Sequence, residues 1–284
     1  GLDLFVVLEC LFRFLVSVSS FNHDCIKNCA INLAWFLAFK KIQMILRLFI
    51  TLLLGLNLHC ADITTISQSY KKDGPYIAGE NLTNLKPGIH FLENFDEQQT
   101  ELVIAVHGWQ TKGFEWVYPL IGLNKETNRV SFFRWKTNGC PNKATKELLN
   151  IIQNEINNYS KISLIGHSYG GIVIAKLLEK DYSKNIEFHI VASGISGDPR
   201  LNSFCGYRPP KQTGQNVVAY QWMTQKHLDG AFKDLETDTQ IQKIEGVSAV
   251  RLPEIYKDNT LTHNWSISWL VDYLNTKRDA SKNS

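Results

Sequence analysis

The chain has 284 residues, 44% hydrophobic and 20% charged, with 30 Lys and Arg against 27 Asp and Glu for a formal net charge of +3. This composition is globular and long enough for one or two domains, and it excludes a disordered, collagenous or polyionic chain. No basic stripe interleaved with aromatics stands out, so nucleic acid is not an expected partner.

Residues 1–60 are crowded with Leu, Phe, Ile and Val, and the first methionine is Met44. From Met44 the chain reads MILRLFITLLLGLNLHCAD: one base at Arg47, an apolar run over 48–56, then the small residues Cys60 and Ala61 before polar chain. That order is the layout of a secretory signal peptide. The expected organisation is an upstream or non-native extension over 1–43, a signal peptide over 44–61 and one exported domain, periplasmic or secreted, over 62–284. The competing reading is a two-helix membrane anchor over 2–18 and 31–58, which would leave the protein membrane-anchored if the segment were retained. Glu9, Arg13, Lys40, Lys41 and Arg47 interrupt those runs, and neither offers a clean span of about 20 apolar residues. Lipid modification of Cys60 is disfavoured by the bulky His59 before it. Beyond residue 61 only Cys140 and Cys205 remain of six cysteines. An even pair in an exported chain predicts a disulfide, with two buried free thiols as the alternative.

The segment 62–87 is polar and punctuated by Gly74-Pro75, Gly79 and Pro87-Gly88, and it reads as an irregular lead-in to a short strand at 89–92. ELVIAV at 101–106 is a continuous apolar run of the kind found in strands buried on both faces, and it ends at His107-Gly108-Trp109. A helix is predicted near 115–123, a strand at 129–135, a turn at 138–141 and an amphipathic helix over 143–159. Then comes KISLIGHSYGGIVIAKLL at 161–178. Beyond it are predicted a strand at 187–192, a Gly- and Pro-rich loop over 194–215, a strand at 216–223, a polar stretch with some helix to 242, a strand at 247–252, a last helix over 263–274 and a frayed polar tail over 276–284. Strands alternating with helices imply a three-layer α/β sandwich, a mostly parallel sheet whose ligands bind at the carboxyl ends of the strands.

In the 161–178 stretch, Ile162, Leu164 and Ile165 supply a strand, and Ile172, Ile174, Ala175, Leu177 and Leu178 an apolar helix face. Between them stands Gly166-His167-Ser168-Tyr169-Gly170. A G-x-S-x-G sequence at a strand-to-helix junction is a nucleophile elbow, in which small residues on either side let the backbone turn tightly and lift the serine above the sheet. The five letters alone are a weak signal, met by chance in roughly one chain in ten of this length at average Gly and Ser usage, and it is the flanking strand and helix that set them apart from an inert Gly-rich turn.

A serine hydroxyl becomes a nucleophile only when a base takes its proton and an acid holds that base in the right tautomer. His263, between the last strand and the last helix, is the best-placed base; His90, His189 and His227 sit in worse positions. Two acids are open: Asp229, just past the 216–223 strand, and Asp198, just past the 187–192 strand. Each also has a plain reading as a turn residue, since Asp-Gly and Asp-Pro favour turns. Backbone N–H groups of Tyr169 and of Trp109 are the candidate oxyanion donors, with His107 shaping the loop and moving no proton. Tyr207 and Trp222 are candidate walls for an apolar acyl group. No His-Glu-x-x-His helix occurs, and Cys25 and Cys29 lack the partners a zinc site needs, so no metal or cofactor is implied.

The H-G-x turn, the G-H-S-x-G elbow, the strand-helix alternation and the order Ser, Asp, His together resemble the α/β-hydrolase superfamily, and in plan the small bacterial lipases and esterases. The resemblance implies hydrolysis of a small acyl ester or lipid through an acyl-enzyme, with Ser168 as nucleophile, His263 as base and Asp229 as acid. The chain departs from many esterases in having one glycine at the oxyanion turn and little room for a cap domain, which implies an open, shallow site. A thioesterase or acyltransferase using the same triad, or an inactive binding module on the same fold, are the alternatives.

Overall fold

A computed structural model describes residues 61–282. The extension over 1–43 and the signal peptide over 44–61 lie outside the described residues, save for Ala61. The chain divides into a unit of 1–58 and a compact unit of 59–284, to which every element below belongs.

The elements follow in order α1 (Ile63–Asp73), α2 (Pro75–Thr83), β1 (Gly88–Phe91), β2 (Glu101–Val106), α3 (Phe114–Leu123), β3 (Asn128–Arg134), α4 (Asn142–Glu155), β4 (Lys161–His167), α5 (Tyr169–Ala175), β5 (Ile186–Val191), α6 (Pro199–Phe204), β6 (Val217–Met223), β7 (Val247–Arg251), a two-strand hairpin β8 (Ile255–Tyr256) and β9 (Asn259–Thr260), and α7 (Trp265–Lys282). The main sheet has seven strands in the order β1-β3-β2-β4-β5-β6-β7. Only β1 runs antiparallel to its neighbour; the other pairings are parallel.

Strand alternation explains the three layers. Leu102, Ile104 and Val106 of β2 face one core with Leu148 and Ile152 of α4 and Ile172 and Val173 of α5. Val103 and Ala105 face the other, with Ile66, Leu82 and Trp116 of α1, α2 and α3 and Leu270 and Val271 of α7. Because both faces are covered, the central strands carry apolar side chains on both, which is why 101–106 reads as one unbroken run.

Four stretches differ from the sequence expectation. Residues 62–87, read as irregular, form α1 and α2: the Asp62 carboxylate caps α1 by accepting the Thr65 N–H at 2.8 Å, and Gly74 at φ 84° ends α1 and leads into Pro75 at the start of α2. The tail is helical to Lys282, with Arg278 of α7 bonded to Glu101 at 3.1 Å across its base. The polar stretch after β6 holds only a single 3₁₀ turn, Lys226–Leu228, and the loop 194–215 contains the unforeseen α6. There is no separate cap domain among the described residues, and no helix there is long and apolar enough to cross a membrane.

Cys140 and Cys205 are bridged across 65 residues of chain. The bridge ties the turn after β3 to the end of α6, and Asn142 Nδ2 adds a bond to the Cys205 carbonyl at 3.2 Å. Closing a loop of that size restricts the unfolded chain. The double variant Cys140→Ala/Cys205→Ala is therefore expected to lose about 2–5 kcal/mol, read from urea unfolding as a lower midpoint. An unchanged unfolding free energy, midpoint times slope, would contradict this.

Candidate active site

The β4–α5 junction forces Ser168 into φ 54°, ψ −122°, a region that costs a non-glycine residue of order 1–3 kcal/mol. Two glycines make the bend feasible. A Cβ on Gly170 would sit 2.2 Å from the Val106 carbonyl oxygen, and one on Gly166 would sit 2.6 Å from the Gly170 oxygen. The turn is locked by Ser168 N–H donating to Val191 O at 2.9 Å and by Gly171 N–H donating to Ser168 O at 2.9 Å. On the other side, a Cβ on Gly108 would lie 2.8 Å from Ser168 Cβ, so the His107-Gly108-Trp109 turn abuts the serine.

His263 stands in the loop between β9 and α7, and its Nδ1 is 2.9 Å from Asp229 Oδ2. Asp229 is fully buried, and a buried carboxylate must be paired. Besides His263 it accepts from Thr224 Oγ1–H on Oδ2 and from Ala231 N–H on Oδ1 at 2.8 Å. A carboxylate oxygen accepts this bond, so Nδ1 carries the proton, and in the neutral imidazole Nε2 of His263 keeps its lone pair. Phe232 packs edge-on to the imidazole, ring centroids 5.6 Å apart. Asp198, the other candidate acid, instead caps α6, accepting from Arg200 N–H and Leu201 N–H at 2.8 and 2.9 Å. Among the described residues no hydrogen bond joins Ser168 Oγ to His263. The two are neighbours through His167, whose ring lies 4.6 Å from that of His263 and whose Nε2 is 3.1 Å from the His263 carbonyl oxygen.

His107 shapes the turn beside the serine. Its Nε2 accepts from Trp135 N–H at 3.1 Å, which leaves Nδ1–H to donate to Gly108 O at 2.8 Å. Burial, with the nearby Arg134 guanidinium adding to it, lowers its pKa to about 4. Burial likewise holds His167 well below its ordinary value, and lowers His189 to about 4.

Ser168 opens into a cleft of about 730 Å³ whose walls include Trp109, Tyr169, Ile172, Phe232 and Leu235. Trp109 is 60% exposed, and the Tyr169 hydroxyl is anchored on Gly139 O at 2.7 Å. Two expected wall residues lie elsewhere. Tyr207 is fully buried beneath the loop, its hydroxyl donating to Ile195 O at 2.7 Å. Trp222 points from β6 under α7, between Trp269 and Tyr273, and donates to His189 Nδ1 at 3.2 Å. Phe232 and Leu235, which take their place, come from a segment whose polar composition concealed them. Among the described residues no three His, Cys, Asp or Glu side chains gather as a metal site would require.

The strand order, the single antiparallel strand at the β1 edge, and a serine elbow after β4 faced by an Asp-bonded histidine after β7 decide the architecture. The chain has the α/β-hydrolase fold. Residues 96–197, from before β2 to the loop after β5, match the family model described as "Putative serine esterase (DUF676)". Within the fold, similar solved structures are an esterase, Est1E, from Butyrivibrio proteoclasticus with ferulic acid bound (11% identity, 69% of this chain and 94% of that one, TM-score 0.45), the esterase Pf2001 of Pyrococcus furiosus (15%, 64% and 82%, 0.43) and an α/β serine hydrolase homologue from Coxiella burnetii (13%, 66% and 88%, 0.40). No curated protein sequence matches the chain. The strand order and site geometry, rather than these distant likenesses, support the reading that follows.

His107, His167 and His189 are all neutral when buried, whereas in the unfolded chain each titrates near 6.5. Below that value the unfolded state binds protons the folded state does not, so stability is full above about pH 6.5 and falls as the pH drops toward about 4. From pH about 7 to about 5, His107 and His189 should each contribute a loss of about 2 kcal/mol, and His167 acts in the same direction. Urea midpoints that stay flat across this window would refute the neutral assignment.

Proposed function

We propose that the protein is a serine hydrolase that cleaves carboxylic esters through an acyl-enzyme, with Ser168 as nucleophile, His263 as base and Asp229 as acid. The observation that carries this reading is the 2.9 Å bond from His263 Nδ1 to the buried Asp229 carboxylate, which leaves Nε2 as a free base beside the serine elbow. The match of residues 96–197 to a serine esterase family supports it independently.

In this mechanism Ser168 Oγ attacks the acyl carbon while its proton passes to His263 Nε2. The oxyanion that forms is stabilised by the backbone N–H groups of Tyr169, at the start of α5, and of Trp109, donors typically worth several kcal/mol in the transition state. Asp229 stabilises the imidazolium and stays ionised, supported by Thr224 and Ala231. The imidazolium then protonates the leaving alkoxide, giving the alcohol and an acyl ester on Oγ. Water, deprotonated by the same Nε2, attacks that ester and releases the acid, and Oγ recovers its proton. Trp109, Ile172, Phe232 and Leu235 give the acyl group an apolar surface in an open cleft that favours small acyl or lipid esters.

We also propose that the domain is exported. The Cys140–Cys205 bridge supports this, because disulfides persist in oxidising compartments, as does the leader pattern ahead of Ala61. A secreted product whose N-terminus falls near Asp62 is expected on protein sequencing, and a cytosolic product retaining 44–61 would refute it.

For the chemistry, hydrolysis of a short p-nitrophenyl ester should fall by at least about 10³-fold in Ser168→Ala. Asp229→Asn should lose about 10³- to 10⁴-fold in kcat, since an amide can impose the wrong tautomer on His263. Asp198→Asn should stay within about threefold, since an Asn is nearly as good a helix cap. Undiminished turnover in Ser168→Ala would overturn the proposal.

A further inference from the structure

His167, the residue before the nucleophile, is used by no step above, yet it is almost completely buried and touches the base directly. Its Nε2 lies 3.1 Å from the His263 carbonyl oxygen. A carbonyl can only accept, so Nε2 must carry the proton. Its Nδ1 is buried without a hydrogen-bond partner. A proton added there would find no acceptor, so the ring has one tautomer open to it: neutral, with hydrogen on Nε2.

We infer that His167, as a neutral Nε2–H imidazole, is the positioning residue that fixes the catalytic histidine relative to the serine. This rests on the triad reading above. The reasoning is mechanical. His167 is covalently joined to Ser168, so its bond to the His263 carbonyl ties the backbone of the nucleophile to the backbone of the base. The same carbonyl oxygen is also bonded by Ser266 Oγ, and the imidazole itself is bonded by Asp229, so His263 is held at both backbone and side chain. The two imidazoles meet at 4.6 Å between centroids and 51° between planes, and Trp116 packs edge-to-face with His167 at 6.5 Å between centroids. The titratable groups that act on His167 are His263 from the loop before α7 and His107 from the loop after β2, and among the described residues no carboxylate joins them to favour a charge. A charged His167 would also oppose the imidazolium that catalysis creates on His263.

Two substitutions separate positioning from mere packing. Gln can place an N–H donor near Nε2, whereas Phe fills the volume and cannot donate. His167→Phe should lower kcat, per site titrated with a fluorophosphonate, by about 10–100-fold with KM within about threefold, the effect of a misaligned base. His167→Gln should recover kcat to within about fivefold of wild type, with the acid limb of its pH profile unmoved. Long-range ¹⁵N–¹H NMR on histidine-labelled wild-type protein should find two rings in the neutral Nε2–H form from about pH 8 to about pH 5.5, through the range where an ordinary histidine titrates: His189, whose Nδ1 accepts from Trp222, and a second that disappears in His167→Gln and is thereby assigned to His167. The inference is overturned if His167→Phe keeps kcat per titrated site within about threefold, if Gln is no better than Phe, or if the ring is protonated at Nδ1 at neutral pH. Should His167→Phe fail to fold, the Gln variant and the NMR measurement still decide it. Activity lost in Ser168→Ala but kept in His167→Phe would sink this inference while leaving the hydrolase reading intact.

Discussion

The rest of the site depends on how closely the backbone can approach itself at the end of β4. Ser168 is held at positive φ because Gly170 passes against the Val106 carbonyl and Gly166 against Gly170, contacts that leave no room for a Cβ. A larger residue at Gly170 would push α5 away from β2, and one at Gly166 would push α5 away from β4. The strain at Ser168 is stored in a turn braced by two backbone hydrogen bonds and by apolar layers on both sides of the sheet. What that strain supplies is position: the hydroxyl projects at the carboxyl edge of the sheet, where the loops after β2, β5, β6 and β7 also converge.

A second demand is the burial of the Asp229 charge, and the segment after β6 is built around it. Thr224 donates to the carboxylate and is itself held by Gln240, whose Oε1 accepts Thr224 N–H at 2.9 Å. Arg251 at the end of β7 bonds the Thr224 carbonyl at 2.6 Å and pairs with Asp238 at 2.9 Å. A buried carboxylate without such donors would take up a proton instead of holding the histidine. The polar residues that gave 224–242 no periodicity are thus the ones that hydrogen-bond the buried Asp229 carboxylate and hold it in place.

Much of the fold was legible because buried parallel strands announce themselves: 101–106 and 161–167 are rich in apolar residues on both faces, as a covered sheet requires. The elbow was legible too, since its glycines answer a steric need visible in the letters. What stayed hidden had weaker or ambiguous signals. α1 and α2 bury only a few side chains, such as Ile66, Ala78 and Leu82, within polar sequence, so their helices come from caps and tertiary packing more than from pattern. Asp229 and Asp198 both follow strands and precede turn formers, and only the fold shows that one meets His263 while the other caps a helix. Trp222 and Tyr207 lie close to the site along the chain, but strand alternation sends Trp222 under α7 and the loop lays Tyr207 into the core, neither of which an aromatic's position in sequence reveals.

The most direct test of the central claim is to look for the covalent intermediate. Mixing the protein with excess p-nitrophenyl ester should release a burst of p-nitrophenol stoichiometric with enzyme, and acid-quenched mass spectrometry should find the acyl group on the tryptic peptide 162–176, at Ser168. Turnover with no burst and no adduct even under rapid quench, or an adduct on any other residue, would contradict the account.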